Sequence, residues 1–170
     1  PTNVNFTVIH YQQNVYDDGY VELPRETRQG LTNSTVGNVA NTYEGFYALI
    51  YEHPTIAADG STVVEIYYDR NYYLMFFDCD GGYGVEPIYA RYGTLINIGS
   101  PQKAGWNFTG WDNPVPATVP AENRVFTAQW EAVTGDRTYT IKIQEDLVFS
   151  DGSPVTAKNY IASTLVFSTP

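Results

Sequence analysis

The side chains in this 170-residue chain that could do chemistry are two histidines, one cysteine, a few lysines and nineteen carboxylates. A nucleophile needs a base within reach. Cys79 has no histidine near it in sequence, and no G-x-S-x-G occurs, so no motif for acyl transfer is present. His10 and His53 lie far apart without an H-x-x-x-H or H-E-x-x-H spacing, which removes the usual zinc motifs. Acidic turns at Asp17 with Asp18, and at Asp78 with Asp80, are the candidates for calcium. The D-C-D-G-G spacing lacks the alternating oxygen ligands and closing glutamate of an EF-hand loop, and carboxylates at such places favour turns in their own right. Paired carboxylates for glycoside cleavage could be drawn from nineteen acids at will, so they identify nothing. A lysine–asparagine crosslink would need a buried lysine; Lys103 and Lys142 are the candidate donors, and both are expected on solvated faces. The chain is therefore expected to be no enzyme and to hold neither metal nor cofactor.

Aromatic residues carry more information. "AGWNFTGWD" (104 to 112) poses a choice between a stacking platform for a ligand and the interior of a small β-domain. Burial is the commoner fate of such rings, so Trp106, Phe108, Trp111 and Trp130 are expected as interior pillars, with a bulge at Gly110 returning Trp111 to the face of Phe108. Ligand contacts are expected instead at Tyr16, Tyr20, Tyr47 and Tyr51, by stacking and by strand addition at a sheet edge. Nine Lys and Arg against nineteen Asp and Glu leave a formal charge of −10. Such a chain has no field to hold nucleic acid or an anionic lipid surface. No run approaches the ~18 apolar residues of a membrane span. One cysteine rules out an intrachain disulfide. Sequons at Asn5, Asn33 and Asn107 add little in a chain rich in Asn and Thr.

The elements that must position these residues are mostly strands. In "VNFTVIHYQ" Val4, Phe6 and Val8 share one face, and in "STVVEIYYD" Thr62, Val64, Ile66 and Tyr68 alternate with Val63, Glu65 and Tyr67. "YYLMFFD" (72 to 78) is apolar on both faces and reads as a central strand covered on both sides. Turns are marked by "YDDGY", "AADGS", "DCDGGYG", "PAEN" and "SDGSP". Helix signals are few. Ser34 is placed to cap a short turn through Val36, Val39 and Ala40, and Thr156 to cap a helix with Ala157, Tyr160, Ile161 and Leu165 on one stripe.

An internal repeat organises the chain. "YEGF" (43 to 46) followed by "ADGSTVVEIYYDR" (58 to 70) parallels "KAGW" (103 to 106) followed by "AENRVFTAQWE" (121 to 131). Two units follow, 1–70 and 71–131, joined near Asp69 to Asn71, with a third segment, 132–170, after them. The start at Pro1 and stop at Pro170 read as cut ends of a larger protein, with any secretion signal or wall anchor expected outside.

Residues 72–131, with "FFDCDGGYGVEPIYARYGTLINIGSPQKAGWNFTGWD" closed by "FTAQWE", resemble the internalin B-type B-repeat, or Listeria–Bacteroidetes repeat. Trp106 stands where that family has Tyr, and Cys79 where it has a small or polar residue. Residues 4–70, with "VIHYQQN", "GYVEL", "YEGF" and "ADGSTVVEIYYDRN", are similar to the MucBP-like repeats of Gram-positive surface adhesins. Both resemblances imply an α+β, strand-dominated fold of tandem small β-grasp-like modules, here with one short C-terminal helix. They imply an extracellular, cell-wall-attached stalk or adhesive unit that meets a host or cell-surface glycan or protein, without catalysis. "YTIKIQEDLVFSDGSPVTAKNYIAST" (139 to 164) resembles a segment of the family 5 extracellular solute-binding proteins, with Phe149, Ser150, Asp151, Gly152, Pro154, Thr156 and Ala157 in place and Asn159 for the usual Asp. That likeness implies an alternative, part of a peptide-binding lipoprotein of an ABC importer that carries the repeats as accessories.

Overall fold

The computed structural model describes residues 1–135, 148–150 and 152–154. Pro1–Val133 form one compact unit and Thr134–Pro170 belong to another. In the first unit, β1 (Asn3–Gln13), β2 (Tyr20–Glu22), β3 (Glu26–Leu31), β4 (Phe46–Ala48) and β5 (Val63–Arg70) make one mixed sheet. A second mixed sheet contains β6 (Tyr72–Asp78), β7 (Ile88–Arg91), β8 (Trp106–Trp111) and β9 (Arg124–Ala132). At the centre of the first, β1 and β5 run parallel, with Thr7 opposite Val63 and Gln12 opposite Tyr68. Beside them β3 and then β2 line the far side of β1, and β4 pairs with the end of β5, all antiparallel.

Alternation explains why these segments are strands. Phe6, Val8 and His10 of β1 and Val64, Ile66 and Tyr68 of β5 are all buried, while Val63, Glu65 and Tyr67 between them point to the other side. Burial of each large apolar side chain contributes about 1.5–3 kcal/mol. Val36, Val39 and Ile56 close the core from the opposite side. The second core is built the same way around Met75, Phe77, Phe126 and Val119.

The two sheets are copies of one plan. In the second, the parallel central pair is β6 with β9, flanked by β7 and β8. Gly45 and Gly105 both take positive φ, 77° and 80°, in turns closed by Phe46 N–H to Tyr43 O and Trp106 N–H to Lys103 O, each 3.1 Å. Asn71 N–H donates to Gly45 O at 2.8 Å as Val133 N–H does to Gly105 O at 3.0 Å. The repeat read from "YEGF" and "KAGW" is thus a repeat of hydrogen bonds.

No helix occurs among the described residues, so the α+β, β-grasp-like expectation is corrected to an all-β arrangement there. Where Ser34 was expected to cap a short turn through Val36, Val39 and Ala40, the chain from 32 to 44 is irregular. Asn33 sits at φ 63°, Ser34 Oγ donates back to Leu31 O at 2.7 Å, and Asn38 Oδ1 accepts from Ala40 N–H at 3.1 Å. Short polar side chains bonding to nearby backbone in this way compete with helical bonds. The backbone groups are used elsewhere: Val36 N–H reaches Pro54 O at 2.9 Å and Ile56 N–H reaches Ser34 O at 2.9 Å. Ile96 with Ala117, and Val119 with Thr94, repeat that cover over the second core. The C-terminal helix expected after Thr156 lies outside the described residues.

Two further expectations change. β6 is covered on one face only: Met75 and Phe77 are buried, whereas Tyr72, Leu74 and Phe76 are open among the described residues. Trp106 is 43% exposed, because it pairs with Ala132 at the end of the sheet, past the core. Phe108, Trp111 and Trp130 are half-buried. The register does shift between Phe108 and Gly110, where φ is 141°, and Trp111 returns to Phe108 with ring centres 5.3 Å apart, then meets Phe77 at 5.3 Å.

Only Asn71 separates β5 from β6, and the joint is clamped. Arg70 Nε donates to Gln13 O at 2.8 Å and its Nη1 to Tyr92 O at 2.9 Å, with the guanidinium 4.7 Å over the Phe46 ring. Arg91 pairs with Asp18 at 2.5 Å and donates to Asp17 O at 2.8 Å. In the second unit, Phe149 N–H donates to Ser153 O and Gly152 N–H to Phe149 O, both 2.8 Å, forming the turn read from "SDGSP".

Candidate functional site

Among the described residues, His10, His53 and the turn carboxylates Asp17 and Asp78 are bonded into the fold. Tyr68 OH accepts from Asn41 N–H at 2.8 Å and lies 2.9 Å from His10 Nδ1, while His10 Nε2 lies 3.2 Å from Asn41 Nδ2 and 3.4 Å from Glu26 Oε1. The order hydroxyl, imidazole, carboxylate is that of a nucleophilic relay. Tyr68 and His10 are each 1% exposed, however, so no substrate reaches them. Burial holds the His10 imidazole below its ordinary pKa despite the pull of Glu26. The Glu26 carboxyl is held low, first by the hydrogen bonds from Arg28 and Asn41.

His53 Nδ1 lies 3.0 Å from Val36 O. Trp130 Nε1–H donates to Cys79 O at 3.0 Å. Asp17 Oδ1 accepts from Asn14 Nδ2 and Gly19 N–H, both at 2.7 Å, and Asp78 Oδ1 from Asp80 N–H at 2.9 Å, as turn-forming carboxylates do. Among the described residues no three His, Cys, Asp or Glu side chains converge as a metal set. Lys103 is only a quarter exposed: its Nζ donates to Asp80 O at 2.8 Å and lies 4.9 Å over Trp106. Lys142 lies outside the described residues.

The outer face of the first sheet carries a cluster of tyrosines. The parallel register sets Tyr11 beside Tyr67, and their rings stack at 4.6 Å and 11°. Tyr20 meets Tyr67 edge-on at 4.9 Å. Tyr47 stands opposite Asp69, which accepts the Tyr20 hydroxyl at 2.5 Å; the Tyr11 hydroxyl donates to Glu65 Oε1 at 3.0 Å. The Tyr20 phenol is pushed up to about 12, first by its bond to Asp69 and then by burial and the Asp69 charge. Tyr11 is raised as well, chiefly through Glu65. These phenols stay neutral and hold two carboxylates among aromatic rings. Beside them Ile50, Tyr51 and Glu52 face Val63, Glu65 and Tyr67 across a groove of about 350 Å³.

Of the four tyrosines expected as contacts, Tyr20 and Tyr47 stand on this face. Tyr51 borders the groove, with its hydroxyl accepting from Val39 N–H at 2.9 Å and donating to Asn38 Oδ1 at 2.7 Å. Tyr16 is elsewhere, its hydroxyl accepting Leu95 N–H at 3.0 Å and linking the two sheets. Tyr11 and Tyr67 were not anticipated. The signal for them lay in the alternation of "VIHYQQ" and "VVEIYYD", which assigns both to the solvent side of their strands once Val8 and Ile66 face the core. Compared with known proteins, the chain matches no family model and no curated protein.

Proposed function

We propose that this chain is a non-enzymatic module of a bacterial, Gram-positive cell surface, in which tandem repeats space and present a binding face to a host or cell-surface glycan or protein. The carrying observation is the tandem copy itself: one strand plan built twice, linked by a single residue and clamped through Arg70. A clamped joint suits a spacer, because it fixes the reach and direction of each copy instead of leaving them to a flexible linker. The likeness of residues 72–131 to B-repeats and of 4–70 to MucBP-like repeats supports the same reading. The face built by the exposed Tyr47 and Tyr67 with the half-buried Tyr11 and Tyr20 beside them supplies the adhesive part, since tyrosines offer wide contact at small entropic cost.

An array of glycans and host surface proteins, probed with the full chain and with Tyr67→Ala, tests the proposal. Binding that Tyr67→Ala removes, with the fold retained by circular dichroism, is the expected result. Binding to nothing on the array, or binding that the variant leaves unchanged, would overturn the adhesive role of this face.

A further inference from the structure

We infer that the open edge of β5 at Val63 and Glu65 takes up an extended, basic peptide segment as an added strand; this rests on the reading of the chain as a binding module and names its partner. Thr7 N–H donates to Thr62 O at 3.0 Å, which turns the peptide groups of Thr62, Val64 and Ile66 toward β1 and those of Val63, Glu65 and Tyr67 away from it. On that outer side β4 pairs only with Tyr68, Asp69 and Arg70, and Leu49 N–H takes Tyr67 O at 2.8 Å. Among the described residues no strand continues the ladder past this point.

The second repeat shows what closing it looks like. Ala48 opposite Tyr68 corresponds to Phe108 opposite Trp130, so Thr127 is the counterpart of Glu65. The bulge at Gly110 carries β8 further, and Asp112 then closes both groups of Thr127: its N–H donates to Thr127 O at 2.9 Å and its Oδ1 accepts Thr127 N–H at 2.8 Å. β4 has no such extension. Its short reach leaves a template for another chain, which is how an unpaired edge behaves.

The surroundings select the segment. Glu52 and Glu65 border the groove, with Asp69 further along the same face. The Glu65 carboxylate is bonded to the Tyr11 hydroxyl, while the nearby Arg25 is bonded to Glu22 at 2.7 Å. In an added strand, residues on the outer face would set arginine or lysine against Glu65 and the Tyr67 ring, by ion pairing and cation–π contact. Alternate residues would meet Ile50, which is fully exposed, and Tyr51. The segment that fits alternates basic and apolar side chains, and the formal charge of −10 steers it in.

The test is fluorescence anisotropy of the full chain with a short alternating arginine–valine peptide, its glutamate–valine counterpart, and the arginine peptide N-methylated at every second backbone nitrogen, in both registers. The arginine peptide is expected to bind, N-methylation in one register to weaken it at least about tenfold, Glu65→Gln to weaken it about fivefold, and the acidic peptide to bind far more weakly. Because N-methylation alters only the ligand, the result does not depend on a variant folding. Equal affinity for the acidic peptide, indifference to N-methylation in both registers, or no binding of the arginine peptide would overturn the inference. If that peptide fails while the array still yields a partner lost in Tyr67→Ala, only the added strand falls; if both fail, the binding module falls with it.

Discussion

Gly45 and Gly105 are equivalent positions in two copies of one turn, and substituting alanine at each separates the cost of the backbone from the cost of the joint. At φ 77° and 80° an L-residue is strained by about 1–2 kcal/mol, partly offset by the ~0.4–1 kcal/mol gained from a less flexible unfolded chain. At Gly105 a new Cβ meets nothing within 4 Å, so Gly105→Ala is expected to cost only about 1 kcal/mol. At Gly45 the same Cβ would lie 2.3 Å from Cγ and Cδ1 of Tyr92. That ring cannot swing freely, because Phe46 packs on it edge-to-face at 5.9 Å and its own carbonyl holds Arg70. Displacing it adds an overpacking cost of about 1–3 kcal/mol, so Gly45→Ala is expected to lose about 2–4 kcal/mol in all. Urea unfolding of both variants, with Tyr92→Ala and the Gly45→Ala/Tyr92→Ala pair completing a cycle, measures the difference. The double variant should be more stable than the summed losses predict, by about 1–2 kcal/mol. Equal losses at the two glycines, or an additive cycle, would refute the claim that the joint rests on a close approach at Gly45.

Arg70→Lys keeps the charge but not the planar fork that reaches Gln13 O and Tyr92 O together, so a loss of about 1.5–3 kcal/mol in urea unfolding is expected. The folded-state pKa of His10 lies below its ordinary 6.5, so the unfolded chain binds that proton more readily. Its contribution to stability is full above pH 6.5 and is lost as pH falls through 6.5 toward the folded value; urea midpoints between pH 5 and 8 should show the slope, and His10→Gln should flatten it. Tyr20 is raised from 10.0 to about 12, so its contribution is full below pH 10 and disappears as pH climbs from there to about 12. Ultraviolet titration should find this late phenol, and Asp69→Asn should bring it down toward the others.

Strand faces and turn glycines were legible because they are local. The burial of Phe6, Val8, Val64 and Ile66 follows from period two, and the matched Gly45 and Gly105 follow from the repeated glycine–aromatic pair. Gly110 could be read as a bulge because its φ of 141° strongly favours glycine. The failures are non-local. The α+β class was inferred from resemblance, and Ser34 was read as the cap of a short turn through Val36, Val39 and Ala40, while the polar side chains of Asn33, Ser34 and Asn38 favour irregular backbone there. Two-sided apolarity in "YYLMFFD" gave no sign that Leu74 and Phe76 would stay open, since the pattern tells which residues share a face and not what covers it. Tyr11 and Tyr67 escaped notice because they meet only through the parallel pairing of β1 with β5, which no short stretch encodes.

The repeat also separates what the fold demands from what it does not. Positions that both copies need are filled alike: Ile56 and Val119 are buried under equivalent backbone bonds, and Val64 and Ile66 have Phe126 and Ala128 as buried counterparts. On the outer face the copies part. Where the first repeat has Tyr67, Asp69 and Tyr47, the second has Gln129, Glu131 and Asn107. The second sheet forms with polar residues at those three positions, so its strand plan does not require the tyrosines. A surface ring that the plan does not require is a candidate for contact with something else. The edges argue in the same direction: Asp112 closes the second copy at Thr127, whereas the first ends its pairing short of Glu65, beside those same rings. The second sheet exposes rings of its own at Tyr72, Phe76 and Tyr89, but only in the first repeat do tyrosines stand beside an open ladder, and the proposed contact therefore belongs on the first repeat.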